Sequence, residues 1–120
     1  MNQTVIPILR VLNAAMRFPF YTQGLGFTID WEYRHEPNLP VFARLSREGQ
    51  SIFLTEHEGD CQVGGAVYFW VPNVDACYGS FNAGGHVHTP PPFDTAWGTR
   101  ELKVVDPDGN TLTFSTELAA

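Results

Sequence analysis

The sequence predicts an α+β protein made of two βαβββ modules, whose curved mixed sheets surround a cleft with the helices outside. Three observations carry that reading. Short runs of alternating apolar and polar residues recur along the chain, with one helix-like segment in each half. The order strand, helix, three strands occurs twice, with a join near residue 60, although little sequence identity survives between the copies. Asp106-Pro107-Asp108-Gly109-Asn110 separates two alternating runs and reads as the turn of a β-hairpin. The 120 residues are taken as one domain, 1–120, with module 1 over about 3–57 and module 2 over about 63–117.

The elements follow in order. Val5 to Val11 alternates and reads as a strand. Asn13 suits the N-cap of a helix from Ala14 to about Thr22, with Gly24 as its stop. Pro19 should kink or shorten that helix, because its nitrogen cannot donate the i→i−4 bond. Strands are expected over 27–34, 41–46 and 51–55, with turns at 35–40 and at Glu48-Gly49. The acidic stretch 56–60 is the linker. Module 2 repeats the order with a strand over 65–71 and a helix over 74–82, capped by Asn73 and stopped by Gly84-Gly85. A short strand is expected over His86–His88, ahead of Pro90-Pro91-Pro92, which cannot pair inside a sheet. Strands over 99–105 and 111–115 close the chain.

Alternation assigns faces, because successive strand side chains point to opposite sides. Ile52, Leu54, Val67, Phe69, Leu102, Val104, Leu112 and Phe114 should pack under the helices. Phe53, Thr55, Tyr68, Trp70, Glu101 and Thr113 then face the concave side with Ser51, Ala66, Lys103, Thr111 and Ser115, and Ile6 and Ile8 join them from the first strand. Phe42 and Arg44 are placed on the concave side of the third strand.

Composition bounds the function. The chain is 43% hydrophobic and 13% aromatic, enough for a proper core. No run approaches the ~18 apolar residues that a membrane span needs, so no membrane role is expected. The first residues carry no basic and apolar leader, which makes the cytoplasm the expected compartment. A net charge of −6 disfavours nucleic acid, whose phosphates need a basic face, and would draw cations. Many acidic proteins owe such a charge to solubility alone. Cys61 and Cys77, sixteen residues apart, match neither a zinc ribbon nor a redox pair and read as reduced thiols. No Ser-His-Asp or Cys-His arrangement and no phosphate-cradling glycine loop is apparent.

Three ordered segments resemble one known family. Pro7 to Asn13 followed by Phe18-Pro19-Phe20-Tyr21-Thr22-Gln23-Gly24-Leu25-Gly26-Phe27, then Val71-Pro72-Asn73-Val74-Asp75-Ala76, then Trp97-Gly98-Thr99-Arg100-Glu101 with Asp106 to Asn110, are similar to signatures of the vicinal-oxygen-chelate superfamily of glyoxalases, bleomycin-resistance proteins and dioxygenases. Pro7 and the ending bring the chain nearest to the bleomycin-resistance branch. The resemblance implies that enzymes of the superfamily hold a metal at four cleft-facing positions, usually with His, Gln or Glu. Here these positions fall on Ile6, Phe53, Ala66 and Thr113. Three of those side chains have no lone pair to give, and a neutral threonine is a poor ligand alone. A slip of two residues reaches Ser51, Thr55, Tyr68 or Gly64, again without a strong donor.

The resemblance therefore implies a metal-free, cofactor-free homodimer that sequesters an aromatic, cationic small molecule at the dimer interface, as antibiotic-resistance proteins do. The alternative is a glyoxalase-like lyase or isomerase with a displaced or absent metal. The residues expected to contact a ligand are Ile8, Trp31, Phe42, Phe53, Thr55, Tyr68, Trp70, Trp97, Glu101 and Thr113. Trp31, Trp70 and Trp97 also admit a packing role in the core or the dimer. Asp30, Glu32, Glu101 and the 56–60 stretch are candidate sources of a negative rim, and Arg100 with Glu101 is a candidate ion pair across the last hairpin. His86 with His88, and His57 between Glu56 and Glu58, are weaker metal candidates without partners at fixed spacing.

Overall fold

Two four-stranded sheets of the same topology carry the fold, in a computed structural model that describes residues 3–119. The leader reading begins on Met1 and Asn2, which lie outside the described residues, as does the final Ala120. The first sheet holds β1 (Ile8–Arg10), β2 (Thr28–Tyr33), β3 (Phe42–Arg47) and β4 (Gln50–Thr55) in the order β1-β4-β3-β2. The second holds β5 (Ala66–Trp70), β6 (Phe93–Asp94), β7 (Thr99–Val105) and β8 (Thr111–Glu117) in the order β5-β8-β7-β6. In each, the first strand runs parallel to the last and the remaining pairs are antiparallel. The α+β class and the repeated βαβββ order expected from the sequence are present.

Helices α1 (Ala14–Pro19) and α2 (Val74–Ala83) start at the expected caps: Asn13 Oδ1 accepts from Met16 N at 3.2 Å and Asn73 Oδ1 from Ala76 N at 3.1 Å. The first helix does not run on to Thr22 as an α-helix. It ends at Pro19 and widens into a π-helical turn over Phe20–Gly24, closed by Leu25 N donating to Phe20 O at 3.1 Å. Proline removes one α-ladder donor, and the chain answers by a wider turn rather than a break.

The short strand expected at His86–His88 does not form, and the edge strand is Phe93–Asp94 instead. The backbone N–H of Thr89 is taken by Asn82 Oδ1 at 2.9 Å, and the three prolines that follow have no N–H to offer a ladder. Val87 plugs the core beside Gly24, where a Cβ would come within 2.5 Å of it.

The two halves share one apolar core. Leu9, Leu45, Ile52 and Leu54 from the first sheet and Leu102, Leu112 and Phe114 from the second belong to the same buried cluster. The alternation assigned these faces correctly. The last turn also clasps the halves together. Tyr21 OH donates to Asp106 Oδ2 at 2.6 Å, Arg17 Nε meets Asp108 Oδ2 at 3.0 Å, and Asn110 Nδ2 donates to Arg10 O at 2.7 Å. Burial, and next the charge of Asp106, push the Tyr21 hydroxyl pKa well above the ordinary tyrosine range. Gly109, at φ 89°, lets the turn close so that Asp106 Oδ1 accepts from Asp108 N and Asn110 N, both at 2.9 Å.

Candidate functional site

Each sheet leaves one face uncovered by its helix. On the first, a β-bulge decides what is displayed. Ile29 pairs with Leu45 on the core side, yet Trp31 pairs with Arg44 on the open side, so Asp30 is the extra residue between them. Without the bulge, period-two alternation would send Trp31 to the same face as Ile29. With it, Trp31 lies 6.1 Å from Phe42, nearly parallel, and 5.8 Å from Phe53, while Phe42 and Phe53 are 4.9 Å apart. Ile8 flanks Phe53 from β1. The Asp30 carboxylate binds the Ser46 hydroxyl and the Arg44 guanidinium, whose Nε is 3.4 Å away.

The open face of the second sheet has a different character. Tyr68 and Trp70 on β5 form an edge-to-face pair at 5.3 Å, and Trp70 is 62% exposed. Beneath them the floor is polar. Glu101, only 4% exposed, accepts from Tyr68 OH at 2.7 Å and from Thr99 Oγ1 at 3.1 Å, both on Oε2. Ser115 is fully buried, and its Oγ has no hydrogen-bond partner among the described residues. An orphaned buried hydroxyl costs about 1–3 kcal/mol. At the junction of the halves, a cleft of about 760 Å³ opens between Arg47 and Gln50 of the β3–β4 hairpin and Trp70, Pro72 and Cys77 of module 2. The Arg47 guanidinium that lines it lies 5.2 Å from the Phe81 ring centre.

The structure thus gathers Ile8, Trp31, Phe42 and Phe53 on one open face and Tyr68, Trp70, Glu101 and Thr113 on the other. Thr55 points to the open side but is fully buried, its hydroxyl donating to Asp60 at 2.7 Å and accepting from His57 N at 3.0 Å. It is a loop anchor rather than an open contact. Trp97 lies on no strand; it sits in the turn before β7 and is 72% exposed.

The proposed Arg100–Glu101 ion pair is corrected: neighbours on one strand point to opposite faces, and Arg100 instead pairs with Asp94 at 2.9 Å and Asp75 at 3.1 Å. These partners raise the Arg100 pKa further. Parts of the supposed negative rim are likewise occupied. Asp30 is paired as above, and Glu56 accepts from Ala14 N and Val41 N, both at 2.8 Å. Alternation placed Ser115 on the concave side without naming it a contact, and no pattern near Pro90-Pro91-Pro92 announces Phe93 on that face.

Comparison with known proteins places the chain. The family model described as glyoxalase superfamily protein matches residues 1–119. The chain belongs to the glyoxalase superfamily. No curated protein matches it significantly. Among solved structures it is similar to TioX from Micromonospora sp. ML1, with TM-score 0.77, 21% identity, and 98% of this chain and 100% of that chain covered. It is also similar to TnmS3, an antibiotic binding protein from Streptomyces sp. CB03234, with TM-score 0.73, 20% identity and 98% of each chain covered. A third similar structure is the bleomycin-binding protein of Streptomyces verticillus complexed with copper(II)-bleomycin, with TM-score 0.71, 21% identity, and 100% and 98% covered.

The residues of this superfamily member do not fit the metal that many glyoxalases hold. Phe53 is packed between aromatic rings, Ile6 and Ala66 have no donor atom, and Thr113 is neutral and almost buried. Among the described residues, no three His, Cys, Asp or Glu side chains converge on a point.

Proposed function

We propose that this protein is a metal-free small-molecule binding protein that sequesters an aromatic, cationic ligand, an antibiotic of the bleomycin kind being the leading candidate, in a cleft completed by a second copy of the chain. The observation that carries this is the replacement of a metal donor set by two open faces lined with Trp31, Phe42, Phe53, Tyr68 and Trp70. Flat rings stack on such side chains, and their faces also attract cations. Two exposed aromatic faces on one small protein favour burial against a second copy. The antibiotic-binding description of TnmS3 and the bleomycin complex of the Streptomyces verticillus protein support the ligand class.

The test is a titration with bleomycin followed by tryptophan fluorescence and light scattering. Saturable quenching by a dimer, with the drug recovered unchanged, is the expected result. No quenching at high micromolar drug would refute the drug-binding reading. Chemical conversion of the drug would replace sequestration by enzymatic turnover.

A further inference from the structure

The floor of the second open face holds an acceptor and a hydroxyl that the chain leaves unused. Glu101 and Ser115 oppose each other across β7 and β8, with Trp70 next to Ser115 on β5 and Phe93 next to Glu101 on β6. The row therefore reads Trp70, Ser115, Glu101, Phe93 across all four strands, with exposed rings outside and buried polar groups between. Glu101 Oε2 already accepts two hydrogen bonds, whereas Oε1 accepts none among the described residues, and Ser115 Oγ makes none. A carboxylate offers lone pairs for about four donors, and a hydroxyl both gives and accepts. No Lys, Arg or His among the described residues forms an ion pair with Glu101. Lys103, two residues along β7 on the same face, is exposed and forms no ion pair with Glu101 among the described residues.

We propose, building on the small-molecule reading above, that this row is a subsite for an amidinium-type group. Such a group is a planar cation with two N–H donors on one carbon, and it matches a carboxylate and its neighbour better than a spherical ammonium does. One N–H meets Glu101 Oε1 and the other the Ser115 hydroxyl, with the ligand's ring against Trp70. The flanking Trp70 ring is exposed, so its rotation opens the floor as the group enters while Tyr68 keeps its hydrogen bond to Glu101. A quaternary ammonium has no N–H and gains only the ring faces.

The experiment compares benzamidine, neutral benzamide and benzyltrimethylammonium by tryptophan fluorescence and by amide NMR shifts. Benzamidine should bind roughly tenfold more tightly than the other two, a difference of the size expected for a charge-assisted paired contact. Glu101→Gln should abolish that preference and Ser115→Ala should reduce it, with benzyltrimethylammonium affinity falling less than that of benzamidine in both. Should Glu101→Gln fail to fold, Ser115→Ala alone carries the test. Equal binding of benzamidine and benzyltrimethylammonium overturns the subsite and leaves the cationic-ligand reading standing. Equal binding of benzamidine and benzamide overturns the charge recognition. Absence of binding by all three overturns the subsite, while the proposed function stands or falls by the bleomycin titration.

Discussion

The two open faces share one strand order and treat their polar groups in opposite ways. On the first, the aromatic rings of Trp31, Phe42 and Phe53 satisfy one another, and the charges of Asp30 and Arg44 meet. On the second, Tyr68 and Trp70 stand above a carboxylate with a spare oxygen and a hydroxyl with no partner. Native structures pair nearly all buried polar groups, so a face that leaves one unpaired carries a cost that a ligand can remove. On the proposed function, the first face serves packing, by a flat molecule or a second copy, and the second serves recognition.

The largest expected effect comes from breaking the device that creates the first face. Inserting one residue between Arg44 and Leu45 gives Asp30 a partner, removes the bulge and forces residues on one side of the insertion to change faces. Either Leu45 leaves the core, or Ala43 leaves it and Phe42 with Trp31 is driven toward it. A loss of roughly 3–5 kcal/mol in urea denaturation is expected, comparable to a large core truncation. A loss below about 1 kcal/mol would show that the strand absorbs the slip and that the bulge does not set the display.

That bulge also marks where sequence reasoning stops. The first sheet, the second apart from its edge strand β6, the two helix caps and the closing hairpin were legible, because apolar alternation, Asn before a helix and Asp-Pro-Asp-Gly-Asn each act locally. The open-side positions of Tyr68, Trp70 and Glu101 followed from period two alone, as did those of Phe53 and Thr113. The face of Trp31 did not, since simple alternation aligns it with Ile29. The burial of Thr55 was equally hidden: it depends on Asp60 folding back from the linker, a contact no pattern encodes. The clasp from Tyr21 to Asp106 joins residues 85 apart in sequence, so the turn was visible but its second task was not.

The clasp tests whether the two faces are held as one unit. Tyr21→Phe removes the donor to Asp106 and should cost about 1–3 kcal/mol. Its pH signature has a definite sign. The folded pKa lies above the unfolded one, so the folded chain holds the extra proton at high pH. The contribution is whole below about pH 10, the ordinary tyrosine value, and falls by about 1.4 kcal/mol for each further pH unit up to the folded pKa. Urea melts of the native chain should show this alkaline decline, and those of Tyr21→Phe should lack Tyr21's share of it. Identical alkaline slopes would mean that Tyr21 is not protected.

Ring truncation on each face sharpens the contrast at a smaller scale. Phe53→Ala strips a half-buried ring from contact with Trp31 and Phe42 and should cost about 1–3 kcal/mol. Trp70→Ala removes a mostly exposed ring and should cost no more than about 0.5 kcal/mol, while weakening the fluorescence response to ligand. Equal stability losses from the two would erase the distinction between a packing face and a recognition face.

The smallest expected effect is the most discriminating. Ser115→Ala deletes a buried hydroxyl that bonds to nothing in the free chain, so no hydrogen bond is lost and a desolvation penalty is removed. The methyl group that remains fills almost the same space between Trp70 and Glu101. Stability should stay level or rise by up to about 1 kcal/mol in thermal or urea unfolding, against the usual tendency of core substitutions to destabilise. If removing the hydroxyl stabilises the fold, its presence points to a use outside folding. A clear loss of stability in Ser115→Ala would instead show that the hydroxyl serves the fold, and the second face would then be no more a recognition surface than the first.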